Sequence, residues 1–332
     1  MFEGILLNLL ILIVSLLVLS RASHLTITNA VNTADATGLG RTTVGFLLVA
    51  FSTSLPELLV SIFAALGAGT VGVAVGNVLG SNIVNVCLIL GVCILMVTLN
   101  RSMKTNCLDF TACIAEEEVG SLYFGLFMAS IIPLSLIYIR EASRFVGVVL
   151  LVIFIFNTYQ MFRERTSVQE EVSERERRRL LRYASLVFVG VAGVVGSAYF
   201  LVDAASSIAR ALGVPGVVIG ATIVAFGTSV PELATSIEST RQGHLDMAFG
   251  NIVGSGFVNL TLILGITLVA SPFTLNMVAF SDLALFSLIA NLFLWYFMSS
   301  GKITVREGMV LLGLYIIFLT ISFGDIEFKV VE

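Results

Sequence analysis

Two glutamates, Glu57 and Glu232, stand inside long apolar runs of this chain. A carboxylate at membrane depth costs about 2.5–3.5 kcal/mol even on mild insertion scales, so such residues are by default functional. Thr53, Glu57 and Ser61 are spaced four apart and share one helical face, and Thr228, Glu232 and Ser236 repeat the pattern. Ser54 and Ser229 precede each glutamate by three and flank the same face. Further on, Ser81 and Asn85 are four apart, as are Ser255 and Asn259. Pro56 and Pro231 add backbone oxygens. Proline lacks an N–H and its ring clashes with the carbonyl four residues back. The carbonyls of Ser52 and Gly227 therefore lose their helical partner, and those of Thr53 and Thr228 are disturbed. A protonated glutamate bonded to a neighbouring helix, or a simple packing kink, would explain one such residue. Their recurrence at matched positions argues against both.

Every side chain in this set offers oxygen, and no His, Cys or Met joins it. Hard cations choose such ligands. Calcium takes 6–8 oxygens in a flexible shell, whereas magnesium tends to keep its waters. Soft metals would want sulfur or imidazole. Two carboxylates supply a charge that one divalent or two monovalent cations neutralise.

The elements that must position these residues follow from composition. Of 332 residues, 57% are hydrophobic and 12% charged, with mean hydropathy +1.02 and net charge -4. Soluble domains carry about 25% charged residues. Soluble enzymes, nucleic-acid binders and disordered chains are thereby excluded, and an all-α integral membrane protein fits. With roughly 20 apolar residues per span, ten spans emerge, at about 4–23, 43–66, 71–98, 121–139, 145–162, 184–208, 215–239, 246–271, 281–299 and 307–323. The stretch 107–120, with Glu116, Glu117 and Glu118, reads as an interfacial turn. Met1-Phe2-Glu3 lacks a basic leader, so the first run reads as a span rather than a signal peptide. Fourteen of the 18 lysines and arginines fall in odd-numbered connections. The positive-inside rule places those in the cytoplasm and both termini outside. The Arg- and Glu-rich segment 163–183 reads as a solvated cytoplasmic linker helix. Cys87, Cys93, Cys107 and Cys113 read as small packing residues. His24 and His244, near loop ends, read as solvated or structural.

An internal repeat organises the chain. Residues 45–61, GFLLVAFSTSLPELLVS, match 220–236, GATIVAFGTSVPELATS, at ten of 17 positions. Residues 76–91, GNVLGSNIVNVCLILG, match 250–265, GNIVGSGFVNLTLILG, at ten of 16. The offsets, 175 and 174, define two five-helix units, 1–162 and 184–332, joined by the linker. Five is odd, so the copies run in opposite directions through the membrane. Inverted repeats recur in secondary transporters, with the binding site at the repeat interface near the midplane and built from broken helices. Gly76 with Gly80, and Gly250 with Gly254, form GxxxG patterns that predict close helix approach.

At FSTSLPE and FGTSVPE, each followed by GN..GS...N, the sequence resembles the cation/calcium exchanger superfamily and, within it, the prokaryotic sodium/calcium exchangers. The motifs are similar to that family's two alpha-repeats, here 45–91 and 220–265. The proton-coupled branch typically carries a GNA.E-type motif where this chain has TS.PE. The resemblance implies that Glu57 and Glu232 are shared ligands for calcium and sodium, and that Thr53 and Thr228 help coordinate calcium. Ser54, Ser229, Ser81 and Ser255 would serve sodium, with carbonyls of Ala50 and Ala225, while Asn85 and Asn259 line the centre. Some relatives have Asp where Asn259 stands, and Gly256 replaces the counterpart of Asn82. Both departures bear on stoichiometry.

The expected function is sodium/calcium antiport by alternating access, electrogenic at three to one, in the cell membrane. The expected partners are calcium, sodium and the bilayer, with no cofactor, no nucleic acid and no obligatory protein partner. Calcium/proton exchange on the same fold is the alternative. An intramembrane hydrolase with paired glutamates lacks HExxH, GxSxG and P-loop motifs. A passive channel would usually draw its pore from several subunits.

Overall fold

A computed structural model describes residues 2–37, 41–66, 71–99, 127, 131, 143–163, 174–211, 225–270, 278–299 and 304–329. Apart from Phe127 and Ile131, the fourth expected span lies outside the described residues, as do the 107–120 turn, Cys107 and Cys113. Secondary structure among the described residues is all helical. Helix α1 is Phe2–Thr37; α2 runs through Arg41–Val44, the π-helical Gly45–Ala50 and Phe51–Thr53; α3 is Leu55–Leu66. Helix α4 joins Val71–Ile83, the π-helical Val84–Ile89 and Leu90–Leu99; α5 is Arg144–Arg163 and α6 Glu174–Ala211. Helices α7 (Ala225–Thr228) and α8 (Val230–Arg241) precede α9, which joins Leu245–Val258, the π-helical Asn259–Ile263 and Leu264–Ala270. Helices α10 (Val278–Ser299) and α11 (Val305–Lys329) follow. Four described helices are long and apolar enough to cross a membrane, or five if α2 and α3, bent by 44°, count as one span. Two shorter apolar helices are Arg144–Gln160 and Leu283–Phe297.

Helix α1 continues well past residue 23, where apolar character fades. Ser23, Thr26, Asn29, Thr33 and Thr37 each donate a side-chain hydrogen bond to the carbonyl four residues back. Polar groups satisfied on their own helix do not oppose burial. Ile27, Ala30 and Ala34 fill the same interface. Helix α1 packs along α6, and Gly190 of α6 lies hard against Thr26. The described part of the charged segment, from Glu174, forms the first turns of α6 without a break. The outer face of α1 shows Leu6, Leu7, Leu10 and Leu17 to the surroundings, as lipid-facing residues would be.

Helices α4 and α9 form the centre. In their apolar windows 78% and 83% of residues are buried, against 17% in α1. Phe46 of α2 packs on Phe257 of α9, with ring centroids 5.9 Å apart. A Cβ added at Gly45 would lie 2.6 Å from the Met247 carbonyl oxygen, and one at Gly254 would lie 2.6 Å from Phe46. Glycine thus lets α2 of one half and α9 of the other touch backbone to backbone. Gly76 and Gly80 differ from expectation: a Cβ added at either meets nothing within 4 Å among the described residues. Among the described residues, the close approach expected of the GxxxG pattern is therefore seen at Gly254.

A tight turn sets α9 against α8. Gly243 has φ 84, the left-handed region that glycine enters freely. His244 N–H donates to the Ser239 carbonyl at 2.9 Å, and Ser239 Oγ donates to the His244 carbonyl at 2.8 Å. Just before the turn, Glu238 reaches His24 of α1 at 2.8 Å, and Gln242 Nε2 donates to the same carboxylate at 3.0 Å. His24 is therefore structural as well as solvent-exposed, joining α1 to α8.

Candidate functional site

Each glutamate sits just beyond a helix break. Ser54 ends α2 at φ -80, ψ 6, and Ser229 precedes α8 at φ -89, ψ 3. Both values lie in the bridge region outside regular helix. Pro56 and Pro231 stand two residues on, each unable to donate to the preceding turn. The two halves thus share one local geometry at one motif position. Glu57 and Glu232 then fall in the first turns of α3 and α8, where the helix dipole favours negative charge.

The serines at the breaks cross between halves. Ser54 Oγ donates to Glu232 Oε1 at 3.1 Å, and Ser229 Oγ approaches Glu57 Oε1 at 3.5 Å. Ser81 Oγ lies 3.3 Å from Ser229 Oγ, within hydrogen-bond distance. The hydroxyls of Thr53 and Ser255 face the Glu232 carboxyl, and that of Thr228 faces Glu57. The two carboxyls are close enough to repel each other when both are ionised. Glu57 is 1% exposed and Glu232 0%.

Among the described residues, several buried oxygens here have no hydrogen-bond partner: Oε2 of Glu57 and of Glu232, Oγ of Ser255, and Oδ1 of Asn85 and of Asn259. Leaving such a group unsatisfied costs about 1–3 kcal/mol, more when it is charged. Asn85 and Asn259 lie one turn beyond Ser81 and Ser255, in or at the edge of π-helical segments. Such π-bulges are frequent at functional sites. An all-oxygen set with unpartnered acceptors suits a hard cation. Among the described residues no group of three or more His, Cys, Asp or Glu is placed to hold a metal ion, and the groups beside the two carboxylates are neutral oxygens.

Of the other expected residues, Ala50 ends the first π-helical segment. Its carbonyl accepts the Ser54 N–H at 3.0 Å and the Thr53 hydroxyl at 3.2 Å. Ala225 opens α7.

Two residues escaped the sequence reading. Asn77 Nδ2 donates to the Glu57 carbonyl at 3.2 Å and to Ser61 Oγ at 3.1 Å, and its Oδ1 accepts from Thr228 at 3.3 Å. Asn251 Nδ2 donates to the Glu232 carbonyl at 3.3 Å, Thr235 Oγ1 at 3.0 Å and Ser236 Oγ at 2.8 Å. Its Oδ1 lies 3.5 Å from the Thr53 hydroxyl. Both sit in the matched GN pairs, and that identity was the available signal.

A buried pair of carboxylates, gripped reciprocally by two matched helix breaks within an all-helical apolar chain, defines a membrane transporter of cations. The chain belongs to the sodium/calcium exchanger protein family, whose pattern it matches over residues 7–163 and 183–324. It is 31% identical to the sodium/calcium exchanger MaX1 of Methanosarcina acetivorans, across 95% of this chain and 98% of that one. It is 29% identical to the inner membrane protein YrbG of Escherichia coli, across 84% and 86%. Its fold matches a structure of the sodium-calcium exchanger NCX_Mj soaked with Na+ and Sr2+, with TM-score 0.81, 26% identity, and 96% and 99% of the two chains covered. The family consists of integral membrane transporters rather than enzymes.

Proposed function

We propose that this chain exchanges sodium for calcium by alternating access, through ten spans arranged as two inverted five-helix repeats, and that Glu57 and Glu232 together hold the ion. The observation that carries this reading is the reciprocal grip: each half supplies a carboxylate whose hydroxyl donor comes from the other half. A site shared in this way can open to either side as the halves rearrange. The remaining ligands are Thr53, Thr228, Ser54, Ser229, Ser81, Ser255, Asn85 and Asn259, with carbonyls of Ala50 and Ala225. The broken helices lie at the midplane, both termini face outward, and the membrane is that of the cell.

Charge sets the rules of the cycle. The site without cations carries two carboxylates, and moving that charge past a low-dielectric barrier is costly. One calcium ion neutralises it, and so do two sodium ions. The neutral oxygens exceed what two sodium ions need, and the resemblance to the family implies a third, giving a cycle of three sodium ions to one calcium. One net charge then crosses per cycle, worth about 2.3 kcal/mol per 100 mV. Reversal potentials measured on the purified protein in liposomes test this. Sodium-dependent calcium flux that ignores a clamped voltage would reduce the cycle to two for one, the outcome that Asn259 in place of a carboxylate favours. Calcium flux driven by a pH gradient and indifferent to sodium would replace sodium with protons.

A further inference from the structure

Thr53 and Ser54 are neighbours, and each reaches into the other half of the molecule. Ser54 donates to the Glu232 side chain, while the Thr53 hydroxyl approaches Asn251, whose amide holds the Glu232 backbone carbonyl and Ser236. The second half mirrors this. Ser229 reaches the Glu57 side chain, and Thr228 donates to Asn77, whose amide holds the Glu57 carbonyl and Ser61. Each glutamate is therefore contacted twice from across the interface, once directly by serine and once through an asparagine, the Thr53 hydroxyl also donating to the Val49 carbonyl at 3.0 Å within its own helix. We infer that Asn77 and Asn251 are positioning residues that set which divalent cation the exchanger accepts, by fixing how far apart the two carboxylate-bearing turns can stand.

The physical argument is one of stiffness. Selectivity among oxygen-bound cations depends on cavity size, ligand number and flexibility. The carboxylates ride on separate helices, so their separation follows from how firmly the helices are tied. Asn251 is 1% exposed, and both its amide hydrogens and its oxygen are engaged. An alanine there would leave the carboxylates and serines in place and remove the strut. The turns could then spread to suit a larger ion as readily as calcium. Outer-shell partners of metal ligands commonly cost roughly 10–100-fold in affinity when removed.

This inference rests on the reading that Glu57 and Glu232 hold the ion, and the experiment separates the two. Purified full-length protein is titrated with Ca2+ and, separately, with the larger Ba2+, and binding is read from the rise in unfolding temperature. Wild type, Asn251→Ala, Asn77→Ala and Glu232→Gln are compared. In Asn251→Ala and in Asn77→Ala, Ca2+ affinity should fall roughly 10–100-fold and Ba2+ affinity by about threefold or less, so that discrimination collapses. Glu232→Gln should lose both. If each asparagine variant keeps the wild-type Ca2+/Ba2+ ratio while Glu232→Gln binds neither, the asparagines do not set selectivity and the glutamate reading stands. If Glu232→Gln binds both ions normally, the glutamate reading falls and takes this inference with it. Should an alanine variant fail to fold, Asn77→Ser and Asn251→Ser shorten each strut and withdraw its reach across the interface while keeping a polar group at the position. An unchanged ratio in both would overturn the proposal equally.

Discussion

The two halves carry the same motif but are not equally enclosed. Leu55 and Leu59 on α3 are 40% and 53% exposed, whereas Val230, the counterpart of Leu55, is 6% exposed. Asn77 anchors to one carbonyl and one hydroxyl; Asn251 reaches a carbonyl and two hydroxyls, because Thr235 stands where the first half has Val60. The first half has its own extra tie. Asn82 Nδ2 donates to Ser287 Oγ of α10 at 2.7 Å, and Gly256 leaves the second half without an equivalent side chain. The repeated motif supplies the candidate ligands, and each copy holds them with different supports. The conserved chemistry sits at the crossing point, and the divergence sits one layer out.

The largest effects should ignore this difference. Glu57→Gln and Glu232→Gln keep the shape and remove the charge, and each should reduce sodium-driven calcium uptake in proteoliposomes by at least about 100-fold, as loss of a buried charged group of several kcal/mol implies. Near-normal flux in either variant would show that only one half carries the ion. Next in size, Asn259→Asp should raise calcium affinity by about tenfold at pH 8, the effect of about 1.4 kcal/mol. The gain should shrink toward pH 6 as protons compete with calcium for the site. Isothermal titration with unchanged binding across that range would remove Asn259 from the lining. Asn82→Gly copies Gly256 and strands the buried Ser287. It should destabilise by about 1–3 kcal/mol in thermal unfolding, with the ratio of calcium to sodium affinity intact. A changed ratio would place Asn82 in the site itself. Smallest of all, Thr235→Val copies Val60 and should cost about 1 kcal/mol of stability. A large loss would mean that the tighter second half, rather than the shared motif, governs the exchanger.

Much of the site was legible in sequence because membrane burial makes polar residues conspicuous. Glu57, Glu232 and the flanking hydroxyls stood out against apolar neighbours, and duplication doubled the signal. Helical spacing showed which residues share a face but not what that face meets. Nothing in the interval between Ser54 and Glu232 says that they touch. Asn77 and Asn251 were overlooked for a related reason: they lie beside glycines in a pattern that packing alone could explain. The length of α1 was also hidden. Hydropathy ends near residue 23, while the helix continues to Thr37 through hydroxyls and amides bonded to their own backbone. The crowding of Gly254 against Phe46 followed from its GxxxG pattern.

The exchange of serines between the halves has an evolutionary corollary. Neither half alone contains a finished site, since its carboxylate lacks the hydroxyl that only the opposite copy supplies. If the two halves descend from one ancestor of half this length, it would have needed a paired copy to complete the site, a pairing that the single chain makes unconditional. The same logic applies to a severed descendant: separately made halves should bind cations only when they find each other.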